Sequence, residues 1–280
     1  MTAVLVTHTH PETASDGVRA AARVAKDAGV ELVAPADEHE KHGKAAEGIG
    51  RVGGLPETAD VCIVLGGDGS ILYALRHYAD SGVPVFGINF GTVGFLAAVE
   101  REELEDGMRR ALKGDFEVMA MPALEMDMPG SRPVAFNDVS FVRVPHGRVA
   151  ELSYSVGDQE VGHVRCDGLV AATPAGSTGY NLANAGPILA WGVEGYVVSF
   201  IAPHTLTARP LVVAPGDSLC VQNAAGRDPV EIELDGEHIG DLGPGEQVEV
   251  RFRDGAGSLA QLPGASFYTR IREKFGRLAK

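Results

Sequence analysis

The stretch Val61-Cys62-Ile63-Val64-Leu65-Gly66-Gly67-Asp68-Gly69-Ser70 constrains the fold more than any other part of the chain. Five apolar residues in a row predict a short strand buried on both faces, as in a parallel sheet. Ile71, Leu72 and Leu75 then fall at helical spacing. The turn between strand and helix has no bulky side chain except Asp68. Glycines there let the backbone approach a ligand, and the helix N-terminus offers free N–H groups to an anion. A carboxylate repels phosphate, so Asp68 makes chemical sense facing a hydroxyl that must lose a proton, or a metal ion.

The flanking sequence supplies the rest of a layered domain. Ala3–Val6 predicts a first strand, followed by a helix capped by Ser15 or Asp16 and stopped by Gly29. Glu31–Ala34 predicts a second strand. Residues 35–58, charged and glycine-rich, read as a mobile surface loop, with His39 and His42 solvated rather than ligating a metal. Val83–Ile88 predicts a further strand, ending in a second glycine-rich turn, Asn89–Leu96. Leu104, Met108 and Leu112 mark one face of a helix over about residues 101–113. This alternation predicts an open parallel α/β sheet, Rossmann-like, whose ligands bind beyond the carboxyl ends of the strands. From Asp115 the pattern changes to strands parted by turns such as Gly157-Asp158, Pro215-Gly216-Asp217 and Asp254-Gly255. That predicts a second, all-β, sandwich-like domain. The expected organisation is an α/β domain over residues 1–115, a sandwich-like domain over 116–262, and a basic tail helix, 263–280, packing back on the first domain.

With 45% hydrophobic residues in 280, the chain has ample material for two cores. A net charge of −14 argues against nucleic acid and anionic membranes as partners. No run approaches the roughly 18 apolar residues of a membrane span. The opening residues pass directly into a strand, so a cytoplasmic protein without a signal peptide is expected. Lysine is scarce among the basic residues, an acidic composition suited to high salt and to a haloarchaeal host. Cys62, Cys166 and Cys220 stand alone without metal-ligand spacing and are expected to be reduced and mostly buried.

Gly-Gly-Asp-Gly followed by Ser or Thr is shared by NAD kinases, diacylglycerol and sphingosine kinases, and phosphofructokinases. Further stretches follow in fixed order: Phe136-Asn137-Asp138, Arg165-Cys166-Asp167-Gly168, Thr173–Asn181, Gly186-Pro187-Ile188 and Pro203–Pro210. With Gly91–Leu96, they make the chain from about residue 60 onward resemble the NAD kinase family. The resemblance implies an NAD-kinase/diacylglycerol-kinase-like fold and phosphorylation of the adenosine 2′-hydroxyl of NAD, giving NADP. ATP or polyphosphate would be the donor, with Mg²⁺ bridging its phosphates and no metal ligand assigned to the protein. Asp68 matches the family's general base, with Gly67 and Gly69 beside it. Asn137 and Asp138 match the pair on the adenosine half. Thr173, Ser177, Thr178, Gly179, Tyr180, Asn181 and Ala183 match dinucleotide-binding positions, and Tyr180 suits stacking on a base. Arg148 and Arg165 fall near the product's 2′-phosphate, and Asp167 near the nicotinamide ribose. Glu237, with Asp235, falls at a late substrate contact, although a plain hairpin turn explains Asp235-Gly236 equally well. The resemblance also implies a homo-oligomer, dimer or tetramer. Ser70, Asp138, Ala175 and Gly179 depart from the commoner family residues and bear on substrate choice. Two other readings stand beside this one: a lipid or sugar kinase using the same glycine turn, and a non-catalytic NAD(P)-binding sensor.

Overall fold

Strand Val61–Gly66 is buried at every position. It forms the middle of a parallel sheet, as its unbroken apolar run requires. The computed structural model describes residues 1–91, 94–224 and 227–276. Thr92 and Val93 of the second glycine turn, and the last four residues of the expected tail helix, lie outside the described residues. The chain divides into two units, Met1–Met121 with Gly257–Lys280, and Pro122–Ala256.

In the first unit the strands lie in the order Gly50–Val52, Glu31–Pro35, Thr2–Thr7, Val61–Gly66 and Val85–Asn89, all parallel. Leu259 and Ala260, at the end of strand Gln247–Gln261, extend the sheet in parallel beside Val85 and Phe86. The strand order reverses between Thr2–Thr7 and Val61–Gly66. In a doubly wound sheet the ligand crevice opens at that point, outside the carboxyl ends. Helix Pro11–Ala28 buries Ala14, Val18, Ala21 and Val24 in this unit's core. It starts at Pro11, earlier than Ser15 or Asp16, because proline pre-sets the first helical φ and lacks only an N–H that the first turn leaves unbonded. Ser15 instead lies inside the helix and bonds back to the Pro11 carbonyl at 2.8 Å. Gly29, at φ 66°, ends the helix as expected.

The reading of residues 35–58 as a mobile loop is corrected. The first part of this stretch forms helix Ala36–His42, a 3₁₀ turn Gly43–Ala46 and strand Gly50–Val52, while residues 53–58 carry no helix or strand. His42 is buried rather than solvated. Its Nε2 lies 2.7 Å from the Thr7 hydroxyl and its Nδ1 3.0 Å from the Ser15 hydroxyl. Glu38 accepts the Thr7 amide and hydroxyl at 2.9 and 2.5 Å, and Lys41 donates to it at 2.9 Å. Burial holds the His42 imidazole below its ordinary range; Glu38 opposes this and Lys41 adds to it.

The second unit is an antiparallel sandwich. One sheet runs Leu211–Val213, Tyr196–Ile201, Gly168–Ala172, Asp138–Arg143, Val230–Leu234 and Glu237–Leu242. The other runs Gln159–Cys166, Ala150–Val156, Leu219–Asn223 and the first residues of Gln247–Gln261. Phe141, Leu169, Val198 and Ile232 of the first sheet share a core with Leu152, Val164, Val221 and Val250 of the second. The largely apolar stretch over residues 134–144 is broken at Phe136 and Asn137 into strands Val134–Ala135 and Asp138–Arg143. Strands Gln159–Cys166 and Glu237–Leu242 lie at sheet edges with mostly exposed or half-exposed side chains, so no apolar run marks them. Each follows a two-residue turn with both φ angles positive, Gly157-Asp158 and Asp235-Gly236. That is the turn whose twist suits a tight hairpin.

Candidate functional site

In the first unit, strand Val61–Gly66 delivers its chain at the carboxyl edge of the sheet, where helix Asp68–His77 begins. Asp68 is the first helical residue, and the Phe95 and Leu96 amides donate to its Oδ2 and Oδ1 at 2.8 and 3.1 Å. Both carboxylate oxygens are thereby oriented by the second glycine turn. A Cβ on Gly94 would sit 3.1 Å from Asp68 Oδ1, so the small residue there lets the two turns meet. Burial raises Asp68 above the usual carboxylate range, while the two amides, Arg270 and Lys274 pull the other way. The result is a carboxylate fixed in direction and more basic than an exposed one. Gly67 and Gly69 flank it without side chains, and Gly69 is exposed.

In the second unit, the break in strand pairing at Asn137 is built by three groups. Asp235 sits in the hairpin turn at φ 50°, and its carboxylate takes the amides of Phe136, Asn137 and Asp138 at 3.2, 2.7 and 3.2 Å. Thr173 donates its hydroxyl to the Phe136 carbonyl at 2.6 Å, and its amide donates to the Asn137 carbonyl at 2.9 Å. Gly176 packs so close that a Cβ there would lie 1.9 Å from the Asn137 carbonyl oxygen. Asn137 and Asp138 are thus brought together with the Thr173–Asn181 loop, and a Cβ on Gly179 would lie 3.8 Å from Asp138 Oδ2 and 4.0 Å from Asn137 Nδ2. Burial, then the charges of Asp235 and Glu233, push the Asp138 carboxyl up to about 7. Near neutrality this acid can therefore both donate and accept a hydrogen bond.

The loop's polar side chains divide by exposure. Thr173, Ser177 and Asn181 are fully buried. Ser177 bonds the Pro174 and Leu189 carbonyls at 2.7 and 3.3 Å, and the Asn181 amide bonds the Ser177 and Pro187 carbonyls at 2.9 and 3.0 Å. These groups hold the loop itself. Thr178 gives its hydroxyl to the Ala175 carbonyl at 3.0 Å. Gly179, Tyr180 and Ala183 are the exposed members. Partial burial, then the charges of Glu233, Asp138 and Asp167, raise the Tyr180 phenol above its ordinary range.

Arg148, Arg165 and Asp167 line one cavity of about 720 Å³ in this unit. Asp167 is held by Arg143 Nε at 2.7 Å, and Arg165 by Glu151 at 3.2 Å. Arg143 and Arg227 add two further guanidinium groups to the same walls. Four arginines against the three carboxylates Glu151, Asp167 and Asp228 leave these walls net positive in a chain of net charge −14, which suits an anionic ligand. Sequence reasoning missed Arg143, whose place opposite Asp167 follows from strand pairing and from no local motif. Glu237 is exposed, just after the hairpin turn. No group of three or more His, Cys, Asp or Glu gathers as a metal cage among the described residues. No helix is long and apolar enough to cross a membrane among the described residues.

The comparisons with known proteins agree with this architecture. Residues 4–116 match the model of the ATP-NAD kinase N-terminal domain, and residues 136–261 that of the ATP-NAD kinase C-terminal domain. The chain is 35% identical over 225 residues to an NAD kinase of Rhodopirellula baltica, covering 79% of this chain and 72% of the relative. It is 37% identical over 221 residues to an NAD kinase of Symbiobacterium thermophilum, covering 77% and 78%. A yeast NADH kinase solved with NADH superposes with a TM-score of 0.87 at 19% identity, covering 100% of this chain and 89% of that one. An Archaeoglobus fulgidus NAD kinase solved with ATP superposes with a TM-score of 0.74 at 24% identity, covering 99% and 98%. These two likenesses concern the fold; the family follows from the two domain models and the sequence relatives. On that evidence the chain belongs to the NAD kinase family.

Proposed function

We propose that the chain transfers a phosphoryl group from ATP or polyphosphate to the adenosine 2′-hydroxyl of NAD, forming NADP, with Asp68 as the general base. The observation that carries this reading is the Asp68 carboxylate, oriented by two amides and made more basic by burial, at the carboxyl edge of the parallel sheet. Phosphoryl transfer asks little covalent chemistry of a protein; it needs alignment, charge neutralisation and a group to take the hydroxyl proton. In the step proposed, the 2′-oxygen bonds to the phosphorus, the bond to the donor's leaving phosphate breaks, and the proton passes to Asp68.

The second unit supports the dinucleotide half of the proposal. Asn137 has the donor and acceptor pair an adenine edge requires, and Asp138 suits a ribose hydroxyl. Tyr180, partly exposed, offers a ring face for a base. Gly179 and Ala183 leave space in the same loop, while Thr173, Ser177, Thr178 and Asn181 act by shaping it. Arg148 and Arg165 suit the product's 2′-phosphate and Asp167 the nicotinamide ribose, all three lining one cavity, and the exposed Glu237 suits a further substrate contact. A magnesium ion fits this arrangement as one brought on the donor phosphates, since such ions need few protein ligands. When bound, it would neutralise phosphate charge and align the donor, with Gly67 and Gly69 leaving the turn open.

The test is product analysis after incubation with NAD, Mg²⁺ and either ATP or polyphosphate. NADP formation is expected. Tight NAD binding without turnover under either donor would replace this reading with a sensor. Preferred phosphorylation of a lipid or sugar would replace the acceptor.

A further inference from the structure

A carboxylate oriented by two amides is only as well fixed as the peptide segment that carries them. The segment 95–97 lies outside any helix or strand, so its other side needs anchoring. Two side chains supply it. Arg270 Nη1, from helix Phe267–Phe275, donates to the Phe95 carbonyl at 2.8 Å and the Ala97 carbonyl at 2.5 Å. Gln261 Nε2, at the end of strand Gln247–Gln261, donates to the Leu96 carbonyl between them at 2.7 Å. Arg270 Nη2 also bonds Gln261 Oε1, locking the two anchors together. Amides on one side therefore hold Asp68, and carbonyls on the other are held by Arg270 and Gln261.

We propose that Arg270 is a positioning residue for phosphoryl transfer, holding the Phe95–Ala97 backbone that aims the Asp68 carboxylate and balancing its charge. The inference rests on Asp68 being the general base. Arginine suits the task because its planar, permanently charged fork can grip neighbouring carbonyls, which a lysine ammonium does less rigidly. The guanidinium is largely buried, and Asp68 leads the charges that compensate it, ahead of Glu100 and Glu273. Among the described residues, the positive groups acting on Asp68 are Arg270 and Lys274, both from the same helix. Lys274 is itself engaged by Glu100 at 3.1 Å, and Glu100 also takes the Asn89 amide at 2.7 Å. Of the two cations, Arg270 does more to favour the ionised Asp68 carboxylate. Removing it withdraws support from the ionised carboxylate, so the proton is lost only at higher pH.

A residue that merely docks the terminal helix would give a folded enzyme with no specific change in the chemical step, so the test separates the two roles. NADP formation is measured across pH for wild type, Arg270→Gln, Arg270→Lys, Asp68→Asn and the Arg270→Gln/Asp68→Asn double variant. Arg270→Gln is expected to lower kcat by about tenfold or more with KM for NAD little changed. It should also move the acid limb of the kcat profile to higher pH. Arg270→Lys should return that limb toward wild type while recovering only part of kcat. On the Asp68→Asn background, Arg270→Gln should cost nothing further.

An unmoved acid limb, a loss confined to KM, or an equal further loss in the double variant overturns the proposal. If Arg270→Gln does not fold, Arg270→Lys decides: an undiminished kcat overturns the proposal. Full turnover by Asp68→Asn defeats the base assignment and this inference with it. Loss in Asp68→Asn with both Arg270 variants unchanged defeats this inference alone.

Discussion

Replacing Asp138 by asparagine separates the charge of this side chain from its shape. Asp138 is 6% exposed, and burial with Asp235 and Glu233 pushes its carboxyl from 3.8 to about 7. The folded chain therefore holds this proton more tightly than the unfolded chain. The corresponding stability is complete below the unfolded value and is lost as the pH rises through about 7. Within that window each pH unit costs about 1.4 kcal/mol, so the whole span amounts to ~4 kcal/mol. Asparagine keeps the size and the donor and acceptor atoms of the protonated acid but cannot ionise. The advantage of Asp138→Asn over wild type should grow by about 2–3 kcal/mol between roughly pH 5 and pH 8. Urea unfolding of both proteins at the two pH values, followed on the sandwich unit, measures this directly. A difference that stays constant, or a wild type that gains on the variant as pH rises, would refute the reasoning and mean that Asp138 is ionised in the fold.

Three further outcomes follow from the geometry. Asp235→Asn keeps the preference for the left-handed turn but weakens the acceptor that serves Phe136, Asn137 and Asp138; a loss of about 1–2 kcal/mol is expected in thermal melts, with a raised KM for NAD. Gly176→Ala drives a methyl against the Asn137 carbonyl, so a loss of about 3 kcal/mol or more is expected in urea unfolding. His42→Gln should cost about 1–3 kcal/mol by disturbing the Thr7 and Ser15 hydroxyls. In wild type, the lowered His42 value makes stability fall as pH drops below about 6.5, because the unfolded chain takes up the proton first. Paired melts above and below that pH should lose this dependence in His42→Gln.

What the sequence disclosed depended on how local the physics was. Val61–Gly66 is buried on both faces, so its nature is written in its own five apolar residues, and the glycines after it mark the turn. The two-unit fold class was legible because helix and strand periods change near Asp115. Residues 36–42 were not legible. Their charges resemble a solvated loop, yet Glu38 and His42 are satisfied by Thr7, which lies 31 and 35 residues away. Asp235 was equally opaque: a hairpin turn explains its backbone, but its carboxylate serves amides 97 to 99 residues earlier. In the Thr173–Asn181 loop the residue types pointed to ligand contacts, whereas the buried Thr173, Ser177 and Asn181 side chains also bond backbone carbonyls of the loop and of Phe136, Pro187 and Leu189. Arg270 sits in a basic tail whose composition gives no sign of the Phe95 and Ala97 carbonyls it holds.

The most direct test of the account compares NADP formation by wild type and Asp68→Asn with NAD, Mg²⁺ and ATP or polyphosphate, alongside NAD binding by both proteins. The account predicts turnover by wild type, a loss of about a hundredfold or more in Asp68→Asn, and NAD affinity retained within a few fold. Equal turnover by the two proteins would contradict it.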